Sequence, residues 1–274
     1  MPELPEVETI RRQLAPKVAG REIAAVEIGL PRLLKYPDPA CFLQEIIGKR
    51  IEKLERRGKY LLFRLTGDMT MIIHLRMTGR LFYRAADTVR DAHTHVVFVF
   101  DNGFELRFAD MRTLGTLCLL ADTELGKIKG LHEMGPEPLT AAFDLKYFQQ
   151  LLANKKTKIK GLLLDQRRVG GLGNIYVDES LHLAGIHPER PAGSLSPDEI
   201  SNLHQAINTV IREGIEHGGT TFRDYVDGEG KAGTHQHHLR VYGRKQEPCV
   251  TCGTAIERKE VAGRGSYYCP CCQK

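Results

Sequence analysis

Long apolar runs are missing from this 274-residue chain. No stretch approaches the roughly 18 apolar residues that a membrane span needs, and the opening lacks the basic and apolar regions of a secretory signal, so the expected location is the cytoplasm. Low-complexity tracts and internal repeats are absent too. That leaves one large or two smaller domains with a proper core, consistent with 42% hydrophobic and 27% charged residues. Cysteine is scarce where a disulfide framework would need it. Of seven, Cys41 and Cys118 stand alone, while Cys249, Cys252, Cys269, Cys271 and Cys272 crowd the C-terminal end. An odd count so placed points to metal and away from disulfides. Acids are scarce in the same place: residues 231–274 carry eight Lys/Arg against three Glu, an excess equal to the +5 of the whole chain. A basic, metal-clamped end points to a polyanion, most simply nucleic acid.

What is present reads as two textures. The chain opens MPELPEVETIRR, where Val7, Ile10 and Leu14 recur at helical spacing, Pro5 falls in the first turn and Glu6 and Glu8 sit where a helix dipole favours acids. A leading helix of about three turns is expected. From about residue 22 to 120 come short β-branched and aromatic runs (YLLFRLT, MIIHLR, HVVFVF, FELRF) separated by turn signals, the pattern of an antiparallel sandwich or barrel. MGPEPL, Met134 to Leu139, carries two prolines and a glycine and reads as an extended connection between domains. Helical periodicity then returns. Ser196, Pro197 and Glu199 form an N-cap, N1 and N3 set ahead of the stripe Ile200, Leu203, Ile207, Val210 and Ile211. Strand-like pieces are expected to bracket the cysteine pairs from Leu239 onward.

Cys249-x-x-Cys252, sixteen residues, then Cys269-x-x-Cys272 matches four-thiolate zinc sites, in which each pair reaches one ion from a tight turn. Its three-residue separation from Cys269 favours Cys272 over Cys271 as the fourth ligand. Such a site has no open position, so its zinc holds a fold and does no chemistry. A hairpin between the pairs would present Arg264, with glycines on both sides that let backbone approach a phosphate. In the helical half, KKTKIK and Arg167-Arg168 surround a turn, Gly171-Leu172-Gly173-Asn174, whose N–H groups could hold a phosphate at the next helix's N-terminus. Taken alone, this glycine signal is weak because it follows a helix and not a strand.

MPELPEVET, RRGKYL, HLRMTGR, GPEPL, GLGNIYVDE, HHLRVYGR and AGRGSYYCPCCQ, in this order over essentially the full length, together resemble the bacterial formamidopyrimidine-DNA glycosylases. The resemblance implies an α+β chain: an N-terminal antiparallel β-sandwich with its leading helix (1–133), a linker (134–139), a helix-two-turn-helix DNA-binding domain (140–235) and a C-terminal β-hairpin zinc finger (236–274). It implies removal of 8-oxoguanine and formamidopyrimidines from double-stranded DNA, followed by nicking through β,δ-elimination, in a monomer of the bacterial cytoplasm that associates with the nucleoid by binding DNA. One structural zinc on Cys249, Cys252, Cys269 and Cys272 is the implied cofactor.

The opening then makes chemical sense. Removal of Met1, expected because proline is small, would expose Pro2 as a secondary amine; an α-amine titrates at about 7.7–8, so a neutral fraction is available. Attack on C1′ gives a cationic iminium that serves base loss and strand scission alike. By resemblance Glu3 is the general acid/base, Lys59 assists catalysis at the phosphate beside the lesion, and Glu6, Ile175, Thr220, Arg223 and Tyr225 line the lesion pocket. His74, Asn174, Tyr242 and Arg264 contact the backbone; Met77 is the wedge that fills the gap left by the extruded base and Arg112 faces the estranged cytosine. Two positions depart from the family pattern: Leu114 replaces the usual phenylalanine, removing an aromatic stacking face, and Thr78 stands where glutamate is frequent and receives no recognition role. Competing readings are the same chemistry on oxidised pyrimidines, as in the endonuclease VIII-like branch, a non-catalytic zinc-finger damage-binding protein, and an N-terminal-proline tautomerase. GPEPL, Lys59 and the full cysteine set fit the purine branch better, intact Pro2, Glu3 and Lys59 oppose loss of catalysis, and length and the basic zinc end disfavour the tautomerase.

Overall fold

The computed structural model describes residues 1–222, 225, 228 and 230–274. The chain forms two compact units. The first comprises Met1–His132 with His217–Thr234, the second Glu133–Glu216 with His235–Lys274.

The first unit starts with helix α1 (Leu4–Val18), then β1 (Ile23–Ile28), β2 (Leu34–Tyr36), α2 (Pro39–Ile46), β3 (Ile51–Arg57), β4 (Tyr60–Leu65), β5 (Met69–His74), β6 (Gly79–Ala85), β7 (Thr94–Phe100), β8 (Phe104–Asp110), β9 (Thr116–Ala121) and the short α3 (Lys129–His132). The strands make two sheets, ordered β1-β7-β8-β6 and β2-β9-β5-β4-β3. All pairings are antiparallel except β2 on β9, which is parallel. Alternation puts Leu61, Phe63, Ile73, Val96, Phe98, Leu106 and Phe108 inside, together with Val7, Ile10 and Leu14 from one stripe of α1. The expected sandwich with a leading helix is therefore present.

In the second unit α4 (Leu145–Leu152), α5 (Ile159–Leu164), α6 (Asn174–Leu183) and α7 (Pro197–Glu216) are followed by the hairpin β10 (Glu257–Val261) and β11 (Arg264–Tyr268). The capping box of α7 forms as its sequence predicts, Glu199 N–H donating to Ser196 Oγ at 3.3 Å and Ser196 N–H to Glu199 Oε2 at 2.8 Å.

The segment 134–139 is neither helix nor strand and follows directly on the division between the units at His132 and Glu133; it is fastened to the second unit, Gly135 N–H donating to Gln166 O and Gly170 N–H to Pro136 O, both at 2.9 Å, with Met134 and Glu137 buried. A side chain at Gly135 would lie 2.6 Å from Arg168 O, so the glycine serves this close approach. Two expectations need correction. Residues 217–234, read as part of the helical domain, instead close into a loop of the first unit, Thr234 N–H donating to His217 O at 2.9 Å. Finally, 239–247 is turn and bend and not strand, Glu179 drawing the N–H groups of Arg240, Val241 and Tyr242 inward, and only Pro248 makes an isolated antiparallel bridge, to Ala255.

Candidate active site

The N-terminal corner is built from α1 itself. Pro2 and Glu3 are both buried, with Met1 exposed beyond them. Glu3 is the N-cap and Glu6 is N3. Glu6 Oε2 accepts Glu3 N–H at 2.8 Å, while its Oε1 accepts Thr220 N–H at 2.7 Å. One buried carboxylate thus fixes the dipeptide ahead of the helix and anchors the loop 217–222. Gly219, at φ +86°, passes so close that an added Cβ would meet Glu6 Cγ at 2.9 Å. Any side chain here would push the loop off the acid.

Tyr225, expected in the lesion pocket, packs into the hydrophobic core, its hydroxyl donating to Gly218 O at 3.1 Å and directed at Glu6 O at 3.4 Å. It braces the loop from behind. Arg223 lies outside the described residues.

Lys59 occupies the two-residue turn between β3 and β4 and is largely buried. His74 ends β5 opposite Tyr60, the residue after Lys59, with the two rings edge to face at 4.5 Å. Burial, reinforced by the positive charges of Arg76 and Lys59, drives the imidazole down to about 3, so it is neutral at cellular pH. Its Nδ1 accepts Arg76 N–H at 3.0 Å, which assigns the ring proton to Nε2. His74 can therefore meet a phosphate as a neutral donor.

Met77 sits in the β5–β6 turn with 41% of its surface exposed, and Leu114 in the β8–β9 loop with 46%. Arg112 Nη1 lies 3.1 Å from Met77 Sδ, so the side chains expected to act as wedge and as opposite-base reader are adjacent.

The second unit holds the remaining expected contacts. α6 begins at Asn174 behind Gly171 (φ +85°) and Gly173. Gln166 laces the turn, Oε1 accepting Gly171 N–H at 3.0 Å and Nε2 donating to Leu172 O at 2.7 Å. Asn174 Nδ2 donates to Gly265 O at 2.9 Å, leaving its second amide hydrogen for a phosphate. Ile175 is buried on the same helical turn, and Arg264 is exposed at the start of β11 after the tight turn Ala262-Gly263. Tyr242 stacks obliquely on Tyr267 with centroids 5.0 Å apart.

What the sequence reading missed is how α6 carries this apparatus. Glu179, fully buried, accepts three successive backbone N–H groups, Arg240 at 2.7 Å, Val241 at 2.9 Å and Tyr242 at 2.8 Å. Next to it, Asp178 takes Lys160 Nζ at 2.6 Å and Tyr267 N–H at 2.9 Å, while Lys160 also donates to Gly265 O at 3.2 Å. The acidic pair fastens both Tyr242 and the hairpin to one helix. The signal available in sequence was an Asp-Glu pair directly after the run Ile175-Tyr176-Val177.

The four sulfurs of Cys249, Cys252, Cys269 and Cys272 all lie within 4.8 Å of one another, and Cys271 is exposed outside the group. A tetrahedron with Zn–S bonds of about 2.3 Å has edges of about 3.8 Å. The Cys249–Cys272 and Cys252–Cys269 separations of 3.9 Å and 3.5 Å match that geometry, so the donor set fits zinc with no ligand to spare. Thr251 N–H and Cys272 N–H approach Cys249 Sγ and Cys269 Sγ at 3.4 Å, and His182 Nε2 lies 3.4 Å from Cys249 Sγ, an outer shell that stabilises thiolate charge.

Among the described residues no helix is long and apolar enough to cross a membrane. Family models match three stretches: the formamidopyrimidine-DNA glycosylase N-terminal domain at residues 1–117, its H2TH domain at 134–226, and the zinc finger found in FPG and IleRS at 246–274. A formamidopyrimidine-DNA glycosylase of Desulforamulus reducens is 53% identical over 100% of this chain and 99% of its own. Among solved structures, a Lactococcus lactis FPG mutant in complex with a Fapy-dG containing DNA superposes with a TM-score of 0.93 at 40% identity, covering 100% of both chains. The Lactococcus lactis Fpg complexed with an abasic site containing DNA gives 0.93 at 40%, covering 99% of each. With a buried Pro2-Glu3 opening, a two-sheet first unit and a four-thiolate finger in one chain, and relatives matching end to end, this protein belongs to the formamidopyrimidine-DNA glycosylase family.

Proposed function

We infer that the chain is a base-excision-repair DNA glycosylase that removes oxidised purines from duplex DNA and then cleaves the abasic strand. The observation that carries the mechanism is the buried Pro2-Glu3 pair, set at the head of α1 by the Glu6 carboxylate. Once Met1 is removed, the Pro2 nitrogen lone pair forms a bond to C1′ as the glycosidic bond breaks and the base leaves with a proton. Glu3 protonates the sugar ring oxygen, the ring opens, and the C1′–N bond becomes an iminium. This electron sink acidifies C2′: loss of that proton expels the 3′ phosphate, a second elimination expels the 5′ phosphate, and water then frees Pro2.

Lys59 and neutral His74 are assigned to the phosphate beside the lesion, one as a point charge and one as a fixed donor. Glu6, Ile175, Thr220, Arg223 and Tyr225 belong to the lesion pocket, Tyr225 through its bracing of the loop. Met77, Leu114 and Arg112 fill the gap and face the opposite base, and Asn174, Tyr242 and Arg264 hold the backbone. We assign chemistry to residues 1–133, and DNA grip to 140–235 and the finger 236–274, with 217–234 reassigned to the first unit. When bound, zinc holds the finger and takes no part in the reaction. The enzyme acts in the bacterial cytoplasm, on the nucleoid through its DNA affinity.

The test is strand cleavage of duplexes carrying a single 8-oxoguanine, formamidopyrimidine or oxidised pyrimidine. Preferential cleavage at the purines supports this function. Preference for the oxidised pyrimidine transfers it to the endonuclease VIII-like branch, and binding without cleavage of any duplex reduces it to a damage-binding protein.

A further inference from the structure

The turn bearing Met77 and the loop bearing Arg112 and Leu114 run side by side between the same two ladders, with His74 opposite Thr116 and Gly79 opposite Asp110, and one hydroxyl ties the two crossings together. Thr78 Oγ1 donates to Asp110 Oδ1 and accepts the backbone N–H of Arg112 at 3.0 Å. Asp110 is buried, and its other oxygen, Oδ2, accepts Gly115 N–H at 2.7 Å. The carboxylate therefore clasps the loop 111–115 at both ends, with Arg112 N–H also 3.2 Å from Oδ1. The backbone of Asp110 is fixed in turn, its N–H donating to His93 O at 3.0 Å and its carbonyl meeting His95 Nε2 at 3.0 Å.

The loop needs such a hold. Thr113 sits at φ +52°, an uncommon conformation for a β-branched residue. Gly115 cannot be enlarged, since a Cβ would meet Phe108 Cζ at 2.4 Å. On the other side, Gly79 N–H donates to Leu75 O at 3.0 Å and closes the Met77 turn directly after Thr78.

We propose that Thr78 is a positioning residue for opposite-base discrimination: through Asp110 it locks the Arg112 loop to the Met77 turn, so that wedge and reader enter the duplex as one body. The proposal rests on the assignment of Met77, Arg112 and Leu114 to the gap. Valine has the shape of threonine but neither donates nor accepts, so Thr78→Val deprives buried Asp110 of a donor and leaves Arg112 N–H only its longer contact to Asp110 Oδ1 at 3.2 Å. The guanidinium then loses the fixed approach that two acceptors on cytosine demand.

The experiment compares single-turnover excision of 8-oxoguanine opposite cytosine and opposite adenine by the wild type, Thr78→Val, Thr78→Ser and Arg112→Ala. For Thr78→Val the cytosine-to-adenine rate ratio is expected to fall about tenfold, the factor carried by a lost hydrogen bond of this kind, with Thr78→Ser restoring it. A wild-type ratio in Thr78→Val, or an equal loss opposite both bases, overturns the proposal. Arg112→Ala separates the two levels: if it leaves the ratio unchanged, the assignment of Arg112 itself fails. Should Thr78→Val not fold, Thr78→Ala against Thr78→Ser isolates the hydroxyl in the same way.

Discussion

Replacing Glu179 with glutamine keeps shape and burial while removing a charge and one acceptor. In the native chain Oε1 accepts Val241 N–H at 2.9 Å and Tyr242 N–H at 2.8 Å, and Oε2 accepts Arg240 N–H at 2.7 Å. Glutamine's carbonyl can retain the first two as neutral bonds, but its amide then faces Arg240 N–H donor to donor. Losing one hydrogen bond to a charged group, about 1.5–3 kcal/mol, and weakening two others brings the cost to about 3 kcal/mol. The Arg240 side chain stays held by Glu213 at 3.1 Å, so the damage is confined to the backbone of 240–242. Opening of that segment becomes easier by the same amount, and amide hydrogen exchange at Val241 and Tyr242 should accelerate about a hundredfold at unchanged protection of α7. Affinity for duplex DNA should fall with it, because Tyr242 rides on this segment. Native exchange rates at these amides in Glu179→Gln would refute the role given to the carboxylate.

Cys252→Ser should lose zinc and DNA affinity, measured by metal content and duplex titration, while the β-sheet unit keeps its melting transition; Cys271→Ser should keep its full zinc content. His74 is neutral far below pH 6.5, so duplex affinity of wild type and His74→Gln should show the same dependence between pH 8 and 5.5; an extra inflection in the wild type would contradict the buried neutral donor. Burial raises the Glu8 carboxyl, but hydrogen bonds from Arg11, Arg12 and Arg56 outweigh it and hold it at about 2. Because this folded value lies below the ordinary 4.5, the stabilisation is full above pH 4.5 and disappears as pH falls toward 2; Glu8→Gln should flatten that limb of an acid melting profile.

Local patterns in the sequence reached a long way into this fold. Period-two runs located the strands, the Ser196–Glu199 pair located the start of α7, and the cysteine spacing located the zinc and chose Cys272 over Cys271. Less legible were contacts between residues far apart in the chain. The Asp178-Glu179 pair does not say which amides, 61 to 63 residues away, Glu179 will accept, and that capture is what holds 240–242 in a turn. Likewise, Thr220 returning to Glu6 across 214 residues moves the loop 217–234 into the first unit. Glu8 read as a helix-start acid, yet Arg56 from β3 makes it a buried ion cluster. In the proposed site, Pro2 could be argued from the chemistry of a terminal secondary amine, whereas the roles of Glu3 and Lys59 came only from the resemblance. Thr78 was readable from neither, since its importance lies in Asp110, 32 residues on.

The most direct test of the catalytic assignment is borohydride trapping of the purified protein on a duplex with one 8-oxoguanine opposite cytosine, followed by mass mapping of the adduct. Reduction of the iminium should leave the sugar attached to Pro2 with Met1 gone. An adduct on a lysine, or excision with no trappable intermediate, would contradict catalysis by the N-terminal proline.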